Sequence, residues 1–492
     1  GRRPLGVADV MEANTLRNGR ISLRAGLGAA FMSAASIGSG ASVGREGPIV
    51  HLGATLASAV ARKLHLSPAF SRTLLGCGVS AAIGSAFNAP IAGVFFALEV
   101  VVGHYGLSAF SPVVISSVIG TMITRVHIGS DAAFQLPPQV ITSFWELPAF
   151  ILLGLVSALV ALSMMRAIAV VQWTHDQLKI PPQIRPALGG LAVGLIALAF
   201  PEVLGVGYEA TDRALRAGYG LQFLIMIAVA KAAATALSLG SGFGGGVFSP
   251  SLVLGALTGA TFGIIAGSLF PDLGSSPSVY AILGMGAVAA CVLGAPISTV
   301  IMIFELTTDY GVTFALMAAV AVASVTATQI WPHSFFTWQL SVRGIRLGRR
   351  DQAVLKSTKV RSVLRRQVVR VGLQATLEEM KSLFVQRHLP IFVIDDDDRL
   401  VGTIHFEDLA DAAFDPERAG ETITARDLVH RIPLALTPDD DLETALRLAE
   451  INDEEHMPVV DDAEAMKVIG EVRLADLVLA YNRALLQTTG AG

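Results

Sequence analysis

The stretch that most constrains this chain runs over residues 37–54, where a glycine-rich break carrying one carboxylate, Glu46, opens an apolar run. Gly44 and Gly47 admit backbone shapes that other residues resist, and Pro48 suits the first turn of a following helix. The first N–H groups of such a helix have no partner within it and carry the positive end of its dipole. Deep in a membrane, that end is an anion site made of backbone, with Glu46 at its mouth. The same stretch returns without a gap at residues 239–256, 202 positions later. Gly38, Ser39, Gly40, Gly44, Pro48, Leu52, Gly53 and Ala54 are matched by Gly240, Ser241, Gly242, Gly246, Pro250, Leu254, Gly255 and Ala256. A second echo follows in order, Asn88-Ala89-Pro90-Ile91 against Gly294-Ala295-Pro296-Ile297, each with a glutamate nine residues past its proline, Glu99 and Glu305. Internal duplication explains this better than the general abundance of glycine in membrane helices. Transporters built from two repeats place their site where broken helices of the halves meet.

Only 15% of the 492 residues are charged, against about a quarter in soluble proteins, and 52% are hydrophobic. Charge is unevenly placed. Residues 1–350 hold 20 Lys and Arg against 13 Asp and Glu, whereas residues 351–492 hold 16 against 27, so a membrane part precedes an acidic soluble tail. Apolar runs fall at 24–40, 49–62, 74–87, 89–103, 108–126, 144–172, 187–200, 221–239, 247–270, 279–293, 296–306 and 312–331. Several are shorter than the roughly 20 residues of a plain spanning helix, and many start or stop at Gly or Pro. Interrupted helices are tolerated in a membrane where their backbone faces protein or a watery cavity, which argues for a solute pathway. Among the acidic residues in this part, Glu46, Glu99 and Glu305 sit in or at the end of apolar runs. An intramembrane carboxylate is costly and points to function, which the glycine flanks of Glu46 support. Glu99 and Glu305, near run ends, read as structural, facing water or paired with Arg. Cys77 and Cys291 lie in apolar runs and give no disulfide framework. No cleavable signal peptide is evident, and the chain opens in polar sequence, as if upstream residues were absent. Arg343, Arg346, Arg349 and Arg350 follow the last run and place that end, and the tail after it, in the cytoplasm.

The tail is itself a repeat. His388-Leu389-Pro390 and His456-Met457-Pro458 open apolar strands 68 residues apart, with Gly402 and Gly470 twelve residues past each proline and Asp408-Leu409 and Asp476-Leu477 six further. Each unit reads as a helix (376–388; 441–453), a strand, a turn, a second strand and a further helix. A single His per repeat favours packing or capping over metal.

Gly44-Arg45-Glu46-Gly47-Pro48, Gly245-Gly246-Val247-Phe248-Ser249-Pro250 and Asn88-Ala89-Pro90 together resemble the CLC family of chloride channels and proton/chloride exchangers, over nearly all of residues 6–340. The tail resembles a tandem pair of CBS domains. The resemblance implies an α-helical polytopic membrane protein with an inverted internal repeat and broken helices, followed by an α/β tandem CBS module. The implied boundaries are 1–340 for the membrane pathway, 341–358 for a basic linker, and 359–420 and 421–492 for the two CBS domains. It implies that Glu46 is the gating glutamate and that the anion site is formed by Gly44, Arg45, Glu46, Gly47, Val247 and Phe248, with backbone amides lining the path. It implies a homodimer in a bacterial inner or plasma membrane, in contact with lipid, with chloride or another small anion as the transported ion and no cofactor in the pathway. In the tail it implies adenine nucleotide, with Asp408 and Asp476 at the ribose positions; the accompanying hydroxyl positions carry His405 and Arg473 instead.

Three departures bear on mechanism. Pro4-Leu5-Gly6-Val7-Ala8 stands where the family has a first anion motif and lacks its serine. Phe336 stands where the family has a tyrosine that holds the central anion, and Val100 where exchangers have an inner proton-transfer glutamate. The expected activity is therefore channel-like chloride conduction gated by Glu46 and modulated by the tail, with coupled proton/chloride exchange as the alternative. A pH dependence not owed to Glu46 would fall to His51 or His104. A cation transporter using Glu46 and Glu305 fits less well, since hard cations want several oxygens and the break supplies N–H groups. A non-transporting membrane sensor leaves the broken helices unexplained. No nucleophile–base spacing or metal-ligand cluster suggests an enzyme, and nothing suggests nucleic acid.

Overall fold

A computed structural model describes residues 5–345 and 358–480 except 18, 104, 130–133, 135–140, 142–143, 272–274, 388–389, 406–407, 411, 413–421, 430–434, 453–455, 463 and 478. His104, His388, the arginines at 346, 349 and 350, and most of the basic linker lie outside the described residues. The chain divides into two compact units, Gly1–Ile345 and Arg346–Gly492.

In the first unit one half comprises α1 (Val7–Leu16), α2 (Leu23–Gly38), α3 (Glu46–Lys63), α4 (Pro68–Phe87), α5 (Pro90–Phe96), extended by a π-helical turn over Ala97–Val102, and α6 (Leu107–His127). Two connecting helices follow, α7 (Leu147–Gln177) and α8 (Arg185–Ala199). The other half comprises α9 (Tyr208–Leu215), α10 (Leu221–Gly240), α11 (Phe248–Leu269), α12 (Pro277–Leu293), α13 (Pro296–Thr307) and α14 (Tyr310–Ile330), and α15 (Phe335–Val342) closes the unit. Among the described residues, five helical stretches are long and apolar enough to cross a membrane. The apolar runs correspond to α2–α8 and α10–α14. The expectation missed α1, α9 and α15, each only eight to ten residues long. In α9, Glu209, Asp212 and Arg213 mask the helix from a reading based on apolar runs.

The duplication is visible in the backbone. Gly44 and Gly246, equivalent positions of the two halves, exchange both hydrogen bonds of an antiparallel bridge, each N···O 2.7 Å. Equivalent residues that pair antiparallel with each other are related by a local two-fold axis passing between them, so the halves are inverted copies. Other features repeat across this axis. α4 and α12 end at Asn88 and Gly294, both left-handed (φ 56° and 67°), and Ala-Pro then opens the next helix in each half. Gly53 of α3 packs against Gly78 of α4, and Gly255 of α11 against Gly284 of α12; a Cβ on any of the four would collide with its partner's backbone. Small residues let backbones approach where apolar surface gives no driving force against lipid. Every residue of α12 from Ser278 to Leu293 is buried, as an all-round apolar helix requires.

Glu99 and Glu305 depart from expectation. Glu99 accepts hydrogen bonds from the backbone N of Ile297 (3.2 Å) and Ser298 (2.8 Å) and from the Ser298 hydroxyl, at the start of α13. Glu305 accepts from the backbone N of Ile91 (2.9 Å) and Ala92 (2.7 Å), at the start of α5. Each half therefore caps the other's helix with a carboxylate. The donors that hold the two carboxylates are peptide N–H groups and one hydroxyl, with the Arg125 charge also near Glu305, because helix starts leave such N–H groups unpaired.

In the second unit, β1 (Val369–Gly372) pairs parallel with β2 (Ile391–Ile394), and β2 pairs antiparallel with β3 (Leu400–Ile404). β4 (His456–Val460) and β5 (Val468–Arg473) form the matching antiparallel pair. Two helices, α16 (Leu377–Arg387) and α17 (Leu442–Asn452), precede β2 and β4. The 68-residue spacing holds for the glycines but not for their partners. Gly402 pairs with Val393 and Gly470 with Val459, so the partner strand has shifted by two residues. A shift of two preserves which side chains face inward. Pro390 consequently stands before its strand and Pro458 inside one.

Candidate functional site

The bridge between Gly44 and Gly246 brings the starts of α3 and α11 nose to nose. A Cβ built on Gly246 would lie 2.8 Å from Gly47 N, so only glycine allows this approach. Pro48 and Pro250 sit in the first turns of these helices, and Glu46, Gly47, Val247 and Phe248 are all buried there. The first amides of the two helices have no intrahelical acceptor and face one another across the break. This is a concentration of N–H groups and positive dipole ends suited to a small anion.

Glu46 occupies one side of this place. It is 1% exposed, so its carboxylate needs donors from the protein. Its Oε1 accepts from the Ser249 hydroxyl and from the Tyr208 hydroxyl (3.3 Å), and its Oε2 accepts from Ser249 N (3.3 Å). Arg45 does not join them. Its Nη2 donates to the Ala86 carbonyl (3.0 Å), and its guanidinium lies 5.2 Å above the Tyr208 ring. Phe248 packs its ring on Phe87 and Phe96, at centroid separations of 5.0 and 5.8 Å.

On the other side lies a cavity of about 390 Å³, lined by Gly47, Gly246, Val247, Phe336 and the start of α1 among others. Arg185 and Arg343 also line it, each in an ion pair, with Asp176 (2.8 Å) and with Asp9 (3.1 Å). Between the cavity and Glu46 remains a gap of about 10 Å³, bounded by Val7, Gly47, Val247, Phe248 and Phe336. That is room for about one water. Thus Gly44, Glu46, Gly47, Val247, Phe248 and Phe336 converge, while the Arg45 side chain turns to packing. Val100 is buried in the π-helical turn, and neighbouring Glu99 is engaged at α13. His51, on α3, is 2% exposed.

Sequence reasoning missed Tyr208, Ser249 and Lys231. Lys231 is fully buried in α10 and donates to the carbonyls of Val203 (2.9 Å) and Gly205 (3.0 Å), which fixes the strand of chain leading to Tyr208. The sequence does carry a signal for it, since Lys231 is the single charge in the run 221–239. Tyr208 gave none beyond its place after Gly205-Val206-Gly207.

In the tail, the Asp408 carboxylate accepts from His405 N (2.8 Å). Asp476 accepts from Arg365 Nε (2.6 Å) and Nη2 (3.0 Å), a two-pronged pair that fills the second expected ribose position with a side chain of the chain itself. Hydrogen bonding from Arg365 holds the Asp476 carboxyl below its ordinary value.

The family described as voltage gated chloride channel matches residues 2–328, and the CBS domain family matches residues 360–415 and 425–483. A ClcB-like protein of Ralstonia nicotianae is 38% identical over 326 residues, 65% of this chain and 76% of that protein. The H(+)/Cl(-) exchange transporter ClcA of Vibrio cholerae is 32% identical over 287 residues, 57% of this chain and 61% of that protein. Among solved structures, that of a slow cyanobacterial Cl-/H+ antiporter superposes with a TM-score of 0.62 at 25% identity, over 69% of this chain and 81% of its own. With inverted halves meeting at paired helix starts, and with matches spanning both units, the chain belongs to the voltage gated chloride channel family of polytopic anion transporters and carries two CBS domains.

Proposed function

We propose that the chain conducts chloride passively, through the place where α3 and α11 meet, with Glu46 as the gate. The observation that carries this reading is the Gly44–Gly246 bridge, which sets two helix starts against each other with a buried carboxylate between them and an open cavity. An ionised carboxylate competes with chloride for the same donors, so its protonation frees it to leave and flux rises with acidity.

Coupled exchange is the second reading, favoured by the exchange activity named for ClcA of Vibrio cholerae and for the cyanobacterial antiporter. Two features favour conduction. Val100 can neither bind nor relay a proton, and the adjacent Glu99 is bound to the α13 amides rather than available on the inner route. Phe336 has no hydroxyl to hold an anion at the narrow gap. The reversal potential of the reconstituted protein under opposed chloride and proton gradients decides between them. Conduction gives the chloride Nernst potential, unmoved by pH; a fixed, pH-dependent offset from it means exchange. A second copy of the chain, lipid contact, a cytoplasmic tail and modulation of flux by that tail belong to the same proposal, on the family's pattern.

A further inference from the structure

The two-fold axis through the break makes a strong demand that the molecule does not meet. It carries Gly47 onto Ser249 and, at the same spacing of 202, Gly6 just ahead of α1 onto Tyr208 at the start of α9. On the first side, Gly47 and Gly6 bear no hydroxyl and line the 390 Å³ cavity. On the second, Ser249 and Tyr208 bear hydroxyls, and both donate to Glu46. Duplication explains the backbone on both sides but neither hydroxyl. Resting on Glu46 as the gate, we infer that Tyr208 and Ser249 form a two-hydroxyl latch that holds the gating carboxylate shut and sets how readily it leaves.

The latch is built to hold its aim. The Tyr208 ring is met edge-on by Phe134 at 5.0 Å between centroids and 82° between planes, and on its face by the Arg45 guanidinium at 5.2 Å. Gly207, left-handed at φ 89°, turns the chain into α9, and a Cβ there would lie 3.0 Å from Lys231 Nζ, the group that holds the preceding carbonyls. Two hydroxyls and one amide converge on a carboxylate that is 1% exposed. Bonds of this charge-assisted kind are about twice as strong as neutral ones, so each hydroxyl shifts the balance toward the shut position. Release by acid follows, because a protonated carboxyl accepts such bonds poorly. Among the described residues, the other titratable or charged groups near the latch are Arg45 ahead of α3, Tyr208 itself and, behind Gly207, Lys231 of α10, with His51 farther along α3.

The test uses chloride efflux from liposomes containing the full chain, measured from pH 4.5 to 8. Tyr208→Phe removes one oxygen and keeps the ring; Ser249→Ala removes the other hydroxyl. Each should raise efflux at pH 7.5, about tenfold for Ser249→Ala and a few-fold for the longer Tyr208 bond, and start the acid rise at a higher pH. In a Glu46→Ala background the same two changes should leave efflux unaltered, because the latch has nothing to hold. Wild-type pH profiles in both single variants would overturn the latch, as would equal effects with and without Glu46. An unchanged pH profile in Glu46→Ala alone would instead overturn Glu46 as the gate, so the two failures are distinguishable. Ser249→Thr, which keeps a hydroxyl, should retain a low efflux at pH 7.5; a rise equal to that of Ser249→Ala assigns the effect to packing and overturns the hydroxyl's role.

Discussion

The two sides of the break share a backbone and differ in what hangs from it. At the start of α3 the first helical residue is Glu46 and the next is Gly47; at the start of α11 they are Phe248 and Ser249. One copy thus supplies the charge and an open approach, the other the hydroxyl and an aromatic wall packed on Phe87 and Phe96. Duplication alone would produce two like ends and a path with no direction to its gate. Divergence of four side chains, at equal backbone, gives the place one shut side and one open side. On the function proposed above, the helix starts attract the anion and the side chains decide when it passes.

The largest expected effect comes from destroying what the copies share. Gly246→Val should abolish chloride efflux and destabilise the protein by about 3 kcal/mol, the upper range for overpacking, since its Cβ meets backbone at Gly47. Efflux and melting of the purified protein test this, and a normal variant would mean that the close approach is dispensable. Next is the difference itself. Glu46→Gln should raise efflux at pH 7.5 by about tenfold and flatten its pH profile, the loss of a single charge-assisted anchor being of that size. Persistence of the acid rise would move the titrating group to another residue, His51 first.

The crossed caps sharpen the comparison by asking whether the halves are energetically alike. Glu99→Ala and Glu305→Ala each remove the acceptor for two amides and should each cost about 2–3 kcal/mol in stability. Glu99→Ala should cost more, since the Ser298 hydroxyl loses its partner too. Chemical denaturation in detergent measures both, and a larger loss at Glu305 would show that the cap geometry does not rank them.

The smallest effect lies in the tail, where copies again diverge: Asp408 caps a backbone N while Asp476 grips Arg365. Because Arg365 lowers the Asp476 value in the folded state, the stabilisation is full above the unfolded value of about 3.9 and is lost as pH falls through the folded one. Hydrogen exchange at β5 in the full chain should therefore be faster in Arg365→Ala than in wild type at pH 6, and the difference should shrink as pH falls below the unfolded value of about 3.9. A difference that does not change with pH across the acid range would assign the effect to packing.

Much of this was legible beforehand, for a physical reason. Glycine, proline and an isolated carboxylate constrain the backbone locally, so residues 44–48 and 246–250 announced helix starts without any knowledge of their neighbours. The tail strands and helices announced themselves by the same local periodicity. What could not be read was anything made by tertiary approach. Glu99 and Glu305 are ordinary run-end glutamates until the opposite half arrives, and Tyr208 opens a short charged helix whose role depends on α3 being beside it. Arg45, read with its motif, turned instead to Ala86 and the Tyr208 ring, because the carboxylate already had donors closer by. Lys231, the single charge in its apolar run, is by contrast legible from sequence alone.

The crossed caps also bear on how the chain is made. Ile91 and Ala92 are synthesised more than two hundred residues ahead of Glu305, the group that satisfies them. At about 5–20 residues per second, that is an interval of roughly 10–40 s on the ribosome. During it the first turn of α5 holds open N–H groups that hydrocarbon cannot satisfy, at a cost of several kcal/mol each if left facing lipid. Until then water is the cheaper partner for those two amides, and the arrival of α13 replaces it with the Glu305 carboxylate.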